Sequence, residues 1–167
     1  MSVVADTTRP ATATTPVRVA LIGAGRIGSS HAELVARHVP FGSLVAVADP
    51  VDGAAARLAE RLEAPIAVTD PGDVLRRDDV DAVLITAPAR SHTDLVVAAA
   101  AAGKHVFVEK PMAVTLADAD RAIAAAEAAG IVLQVGFNRR FAPGFAAARA
   151  AIDAGQVGTP QLLRSLT

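Results

Sequence analysis

The chain has 167 residues, of which 52% are hydrophobic, enough to bury the core of one domain of ordinary size. Its net charge of −1 gives no electrostatic reason to expect nucleic acid or an anionic membrane surface as a partner. It has no cysteine, and its four histidines are scattered without metal-ligand spacing, so disulfides and thiolate sites are excluded and we predict no metal site.

Residues 1–16 are rich in threonine, alanine and proline and show no periodicity, which predicts a disordered tail. A signal peptide needs a basic start and an apolar segment, and neither is present. Uncharged runs fall short of the roughly 18 apolar residues that a membrane span requires. We therefore expect a soluble, cytoplasmic protein with no membrane or nucleic-acid partner.

A glycine-rich turn follows the first predicted strand. Val19–Ile22 is an apolar run rich in β-branched residues, of a length suited to a strand buried on both faces. In the Gly-Ala-Gly-Arg-Ile-Gly that follows, the first glycine permits a tight turn, the second lets backbone amides approach a pyrophosphate, and the third lets the next helix pack closely. That helix points its N–H groups and positive dipole end at the phosphates. The predicted cofactor-binding residues here are Gly23, Gly25, Arg26, Ile27 and Gly28.

An acidic residue ends the second predicted strand. The helix before it ends ahead of Pro40, and its predicted apolar face consists of Ile27, Ala32, Leu34, Val35 and Val39. Leu44–Ala48 is the second strand, and Asp49 stands near the spacing at which a carboxylate accepts hydrogen bonds from an adenosine ribose. NAD is favoured, because a 2′-phosphate would meet the charge of Asp49 and the nearest downstream cation, Arg57, lies about two helical turns away. Alternatively, Asp49 caps a helix that starts at Pro50.

Helices and strands continue to alternate. The next predicted elements are a helix over Ala54–Leu62, a strand over Ile66–Val68, a short helix opened by Asp70-Pro71, and a strand over Ala82–Thr86. Ligands gather at the carboxyl ends of strands in a doubly wound sheet, so Thr86, Pro88 and His92 are candidate cofactor contacts, with His92 on the nicotinamide side. Alternatively, Ser91-His92 only starts the alanine-rich helix through Ala102.

The fifth predicted strand, His105–Val108, runs into Glu109-Lys110-Pro111. A lysine at a strand's carboxyl end beside a nucleotide site is a candidate for chemistry, and its bond to proline can be cis. The alternative is an ordinary surface lysine. A Thr-Leu-Ala-Asp capping box then opens a helix that ends at Gly130, and Ile131–Val135 is the sixth strand. These elements predict an α/β fold with a doubly wound parallel sheet, the Rossmann dinucleotide-binding fold.

Three segments of the chain resemble the Gfo/Idh/MocA family of oxidoreductases. They are the glycine motif Gly23–Gly28, the Ala-Gly-Lys-His-Val-Phe-Val-Glu-Lys-Pro of residues 102–111, and the Val-Gly-Phe-Asn-Arg-Arg-Phe of residues 135–141. The resemblance covers residues 17–167. Within the family, residues 136–141 and the ending at 162–167 look most like the inositol 2-dehydrogenases.

The resemblance implies hydride transfer between NAD and a secondary hydroxyl of a cyclitol or sugar, such as myo-inositol. Lys110 matches the family's catalytic lysine, which hydrogen-bonds the reacting hydroxyl. Family members pass the proton on through a histidine, itself preceded by an aspartate, in a second domain. Glu109 is expected at the cofactor, and Asn138 and Arg139 match positions on the substrate side, with plain loop polarity as the alternative.

The end of the chain departs from the family, whose members continue into a mostly antiparallel domain with the substrate pocket and usually the oligomer interface. Here we predict a connecting helix over Phe141–Ala154, ended by Gly155, and a strand over Gln161–Leu166. The predicted domains are an NAD-binding domain at 17–140 and a truncated α+β domain at 141–167. Either this is a fragment of a dehydrogenase that is a homo-oligomer only at full length, or it is a truncated, catalytically inactive dinucleotide-binding module.

Overall fold

A computed structural model describes residues 15–164 of the chain. The chain divides into two compact units, the first ending at Val135 and the second beginning at Gly136. Of the predicted tail, residues 1–14 lie outside the described residues, and the last two positions are irregular and exposed. None of the helices in the described part combines the length and the apolar character that crossing a membrane would require.

Six parallel strands form one sheet in the first unit. They are β1 (Val17–Ile22), β2 (Gly42–Ala48), β3 (Ile66–Val68), β4 (Ala82–Ile85), β5 (His105–Val108) and β6 (Leu133–Val135). Their order is β3-β2-β1-β4-β5-β6, and every neighbouring pair is parallel. The predicted doubly wound parallel sheet is confirmed. Its order reverses between β1 and β4, the place where open α/β sheets bind their ligands.

Five helices connect these strands. They are α1 (Arg26–His38), α2 (Ala54–Leu62), α3 (Pro71–Leu75), α4 (His92–Ala101) and α5 (Leu116–Ala129). The predicted caps are confirmed at α3, where the Asp70 carboxylate accepts from the Gly72 N–H at 2.8 Å, and at α5, where the Thr115 hydroxyl accepts from the Asp118 N–H at 3.1 Å. Helix α5 ends at Gly130, which has the left-handed φ of 65°.

The sheet is buried on both faces because its strands are apolar at successive positions. In β1, Ala20 and Ile22 face one core, together with side chains of α3, α4 and α5. Leu21, between them, faces the second core, together with side chains of α1 and α2. This two-sided burial explains why the strands read as continuous apolar runs rather than as an alternation.

The predicted apolar face of α1 is only partly correct. Ile27, Leu34 and Val39 are 41%, 50% and 46% exposed. The buried positions are Gly28 and Ala32. Small residues lie against the sheet because α1 passes so close to the end of β1 that a larger side chain would collide with the backbone.

The second unit contains a short 3-10 helix at Asn138–Phe141 and the helix α6 (Pro143–Asp153). The helix predicted from Phe141 therefore starts two residues later, because the residue before Pro143 is extended, with ψ of 129°. The strand predicted over Gln161–Leu166 does not form in its described part, residues 161–164, which is irregular and exposed. The rest of that segment lies outside the described residues.

Candidate functional site

The glycine-rich turn connects β1 to α1 and packs against the carboxyl end of β4. Gly23 has φ of +104°, and a Cβ built on it would lie 2.7 Å from the backbone nitrogen of Ala87. A side chain at Gly23 would force the two strand ends apart, so the tight turn requires glycine for two separate reasons. The hydroxyl of Thr86, half-buried at the end of β4, donates to the Gly23 carbonyl at 2.7 Å.

The other two glycines differ in what surrounds them. A Cβ on Gly28 would overlap the carbonyl oxygen of Gly23 and approach the Thr86 hydroxyl oxygen to 2.6 Å, so α1 packs as closely as predicted for the third glycine. A Cβ on Gly25 would meet no atom of the described residues within 4 Å, and its φ of −67° is ordinary. Neither packing against these residues nor backbone conformation requires glycine at this position, so the prediction that Gly25 lets a pyrophosphate approach stays open to test.

The first turn of α1 lies open beside Gly25. No side chain caps this helix, so its first N–H groups have no partner within the helix and are available to an anion. Arg26 and Ile27, both predicted cofactor contacts, are exposed in this turn. A pyrophosphate fits the turn in charge and in space.

Asp49 lies directly after β2 and is 8% exposed. Its Oδ2 accepts from the Ala24 N–H at 2.6 Å and its Oδ1 accepts from the Val51 N–H at 2.8 Å. Each oxygen keeps a second lone pair for a ribose hydroxyl. The alternative of a helix starting at Pro50 is wrong, since α2 begins at Ala54 and the carboxylate instead closes a turn.

A cleft of about 260 Å³ lies between α1 and α2 beside this turn, and Ala24, Ser29 and Arg57 are among its lining residues. Arg57 thus shares this cleft with Ala24 of the glycine turn. Among the described residues it has no salt-bridge partner, whereas Arg61, also in the cleft, lies 3.7 Å from Glu33.

The structure corrects the prediction for His92. This residue is the first of α4, so the alternative that it starts the helix is confirmed. Its ring is only 2% exposed, with Nε2 2.7 Å from the Ala87 carbonyl oxygen and Nδ1 2.7 Å from the Pro111 carbonyl oxygen. A ring enclosed in this way does not face a nicotinamide. Pro88, one turn earlier, is exposed and stays a candidate contact.

Lys110 follows β5, and the peptide bond between Lys110 and Pro111 is cis. Its side chain is exposed, and within the described part of the chain no hydrogen bond or salt bridge involves its amine. The carboxylate of Glu109 contacts two neighbouring groups of the chain, and its predicted contact with the cofactor stays a prediction. Its Oε1 lies 2.9 Å from Nε2 of His31, and its Oε2 accepts from the Lys110 N–H at 3.0 Å.

Sequence reasoning missed His31, although a signal was present. It stands three residues after Gly28 on the same face of α1, the helix that begins just after the carboxyl end of β1. Its contact with Glu109 brings the segment containing Lys110 next to the helix that opens at the glycine turn. The predicted phosphate-binding turn and the predicted catalytic lysine therefore lie at one edge of one sheet.

Asn138 and Arg139 belong to the second unit, in its 3-10 helix, and both are exposed. The guanidinium of Arg139 lies 5.6 Å from the centroid of the Phe145 ring, within the range of a cation–π contact. Their assignment to the substrate stays a prediction. No group of three or more acidic or histidine side chains that could hold a metal ion occurs among residues 15–164.

Residues 17–137 match a family model described as an oxidoreductase family with an NAD-binding Rossmann fold, Gfo/Idh/MocA. The chain is 40% identical over 151 residues to scyllo-inositol 2-dehydrogenase (NAD(+)) of Bacillus subtilis, a match of 90% of this chain and 44% of that enzyme. It is 38% identical over 148 residues to myo-inositol 2-dehydrogenase of Thermotoga maritima, covering 89% and 44%.

Solved structures agree with these matches. The crystal structure of scyllo-inositol dehydrogenase from Lactobacillus casei, with bound NAD(H) and scyllo-inositol, superposes with a TM-score of 0.82 at 28% identity. The superposition covers 86% of this chain and 42% of that one. The chain thus spans less than half the length of the relatives that it matches.

Proposed function

We propose, from the premise that this chain belongs to the Gfo/Idh/MocA family of NAD-binding oxidoreductases, that its protein is a dehydrogenase of a cyclitol or sugar. The reaction is the transfer of a hydride between a ring carbon bearing a secondary hydroxyl and NAD. The observation that carries the proposal is the juxtaposition of the glycine turn and Lys110 at one sheet edge, linked by the contact between His31 and Glu109.

We assign binding of the cofactor to the glycine turn and to Asp49 at the end of β2. The open first turn of α1 and the bare surface of Gly25 hold the pyrophosphate. Asp49 accepts hydrogen bonds from the adenosine ribose and repels a 2′-phosphate, which directs the site to NAD. Arg26, Ile27, Thr86 and Pro88 complete the proposed contacts around the cofactor.

Lys110 is the proposed catalytic residue of this chain. The bound nicotinamide supplies the acceptor for the hydride and its electron pair. The exposed amine of Lys110 donates a hydrogen bond to the reacting hydroxyl oxygen and steadies it as the carbonyl forms. The hydroxyl proton leaves through the family's histidine in the second domain, a segment beyond the residues described here.

The proposed substrate class is a polyol ring of the inositol type. Two of the relatives are named for scyllo-inositol and myo-inositol, so these two stereoisomers are the compounds to test. Asn138 and Arg139 are the proposed substrate-side residues of this chain, because an amide and a guanidinium both hydrogen-bond hydroxyl groups.

The test begins with binding. The 167-residue chain is titrated with NADH and with NADPH by nicotinamide fluorescence, for which the absence of Trp and Tyr leaves little protein background. We expect saturable binding that prefers NADH. Lys110→Ala should bind NADH with nearly the same affinity, because the lysine does not contact the phosphates or the ribose.

Turnover is then measured as NADH formation from NAD⁺ with scyllo-inositol or myo-inositol, in the wild type and in Lys110→Ala. Loss of turnover in the variant supports the proposed role, and equal turnover contradicts it. Turnover of either polyol would exclude the second candidate, a dinucleotide-binding module without chemistry. Binding of NADH without turnover is expected of both candidates when the assayed chain does not contain the histidine of the second domain.

A further inference from the structure

We propose that His31 is a positioning residue for Lys110, acting through the carboxylate of Glu109. The inference rests on the proposed function, since it concerns the lysine assigned there to the reacting hydroxyl. His31 itself touches neither the substrate nor the cofactor in this proposal. It fixes the direction in which the chain leaves β5.

The connection runs through both oxygens of one carboxylate. Nε2 of His31 lies 2.9 Å from Oε1 of Glu109, and Oε2 accepts from the backbone N–H of Lys110 at 3.0 Å. The Glu109 N–H in turn donates to the carbonyl of Ile85 at 2.9 Å and extends the pairing of β5 with β4. Glu109 thus joins helix α1, the sheet and the amide of the lysine.

His31 is well placed to hold this carboxylate. Its ring packs on Phe107 of β5 with centroids 5.5 Å apart and the planes tilted by 59°. The side chains of His31 and Glu109 are only 26% and 17% exposed, so solvent screens their contact less than that of a surface pair. The close packing of Gly28 holds α1 in place against the sheet, and this fixes the backbone position of His31.

Lys110 needs such a constraint because no hydrogen bond or salt bridge within residues 15–164 holds its side chain. Among the described residues its amine has no partner, and four rotatable bonds separate the amine from the backbone. The region that the amine can reach is therefore set by the backbone at Lys110. A small misplacement of a group that contacts the reacting atoms is enough to slow catalysis strongly.

The test uses nucleotide binding as its readout. A lysine ammonium beside the nicotinamide disfavours NAD⁺, whose ring is positive, relative to NADH, whose ring is neutral. The ratio of the two dissociation constants, Kd(NAD⁺)/Kd(NADH), therefore reports where the amine lies. General destabilisation of the domain weakens both nucleotides alike and leaves this ratio unchanged.

The variant is His31→Phe, which keeps a ring on Phe107 and removes the hydrogen bond. His31→Gln, whose amide can still donate to Glu109, is the rescue variant, and His38→Phe is the matched control, an exposed histidine at the end of the same helix. Lys110→Ala sets the scale and should lower the ratio by about threefold or more. We expect His31→Phe to lower the ratio most of the way to the value of Lys110→Ala. His31→Gln and His38→Phe should keep the wild-type ratio.

The outcomes separate this inference from the proposed function. If Lys110→Ala lowers the ratio and folded His31→Phe does not, the positioning role is wrong and the proposed function stands. If Lys110→Ala leaves the ratio unchanged, the lysine is not beside the nicotinamide and the proposed function loses its catalytic residue. Circular dichroism establishes folding, and His31→Asn, too short to reach Glu109, replaces His31→Phe if that variant does not fold.

Discussion

Asp49 has two roles in the proposed site. Its carboxylate accepts hydrogen bonds that hold the glycine turn, and it is the proposed acceptor for the ribose hydroxyls. Each oxygen already accepts one backbone N–H, from Ala24 and from Val51. Arg57 lines the cleft that Ala24 also lines, and no acidic partner for it occurs among the described residues. In the proposed site, the negative charge of Asp49 disfavours the 2′-phosphate of NADPH, and the positive charge of Arg57 opposes this effect.

We predict that Asp49→Asn weakens NADH binding by about tenfold or more, since hydrogen bonds to a charged acceptor are lost. NADPH should bind the variant better than it binds the wild type, because Arg57 remains and the repelling charge does not. Parallel fluorescence titrations with the two nucleotides measure both effects. Asp52→Asn, at an exposed position in the following turn, is the control and should change neither affinity.

Spacing along the chain carries information about residues of one local unit. The glycine motif and Asp49 both belong to β1–α1–β2, so their places at the ends of β1 and β2 could be predicted from their separation. His31 and Glu109 are 78 positions apart, and only the folded sheet brings them together. His92 was misassigned because its place after β4 suits a ligand contact and a buried link to Pro111 equally well.

Helix α1 shows what limits prediction at the scale of an element. Its start and end were predictable from the glycine motif and from Pro40. Its buried face was not, because the size of the apolar residues suggested Ile27 and Leu34, whereas the close approach to β1 selects Gly28 and Ala32. A helix that packs against backbone buries its smallest residues.

The two glycines at the start of α1 give opposite predictions for the same substitution. Gly28→Ala should lower the free energy of unfolding by about 1–3 kcal/mol, since the new methyl overlaps the Gly23 carbonyl. This is the net change, because the overlap outweighs the gain of about 1 kcal/mol that alanine brings to a helix interior. Urea unfolding measures the change, and a variant as stable as the wild type would contradict the packing argument.

Gly25→Ala should leave stability within about 0.5 kcal/mol of the wild type, because a Cβ there meets no protein atom and φ is ordinary. The same methyl occupies the proposed pyrophosphate position, so NADH affinity should fall by about tenfold or more. Urea unfolding and NADH titration of one sample separate the two effects. Unchanged NADH binding would show that the nucleotide phosphates lie elsewhere.

At the scale of the first unit, the doubly wound parallel sheet was predictable because strands and helices alternate along the chain and each strand is a short apolar run bounded by glycine, proline or a charge. The second unit was less predictable. Its 3-10 helix and the start of α6 depend on local geometry at Pro143, and a strand over 161–166 needs neighbouring strands to pair with. Sequence pattern alone carries no information about whether such neighbours are present.

An ion pair at the amino ends of the two central strands, β1 and β4, makes stability depend on pH. Arg18 in β1 donates through its guanidinium to both carboxylate oxygens of Asp81, at 2.9 and 2.6 Å, just before β4 begins. The Arg18 backbone N–H also donates to this carboxylate, at 2.8 Å. These bonds lower the pKa of Asp81 from its ordinary value of 3.8 to about 2. These bonds connect the neighbouring strands β1 and β4 at their amino ends.

Since the pKa is lower in the folded protein than in the unfolded chain, the contribution of Asp81 to stability is complete above pH 3.8 and is lost as the pH falls towards about 2. Asp81→Asn should be less stable than the wild type at neutral pH and should lose less stability over that acidic interval, so that the two curves converge near its lower end. The pair is over a third exposed, so solvent and salt reduce the size of the effect. Urea unfolding at a series of pH values measures it. Asp78→Asn, which leaves the bonds of Asp81 intact, is the control, and a wild-type curve parallel to that of Asp81→Asn throughout the acidic interval would contradict the assignment.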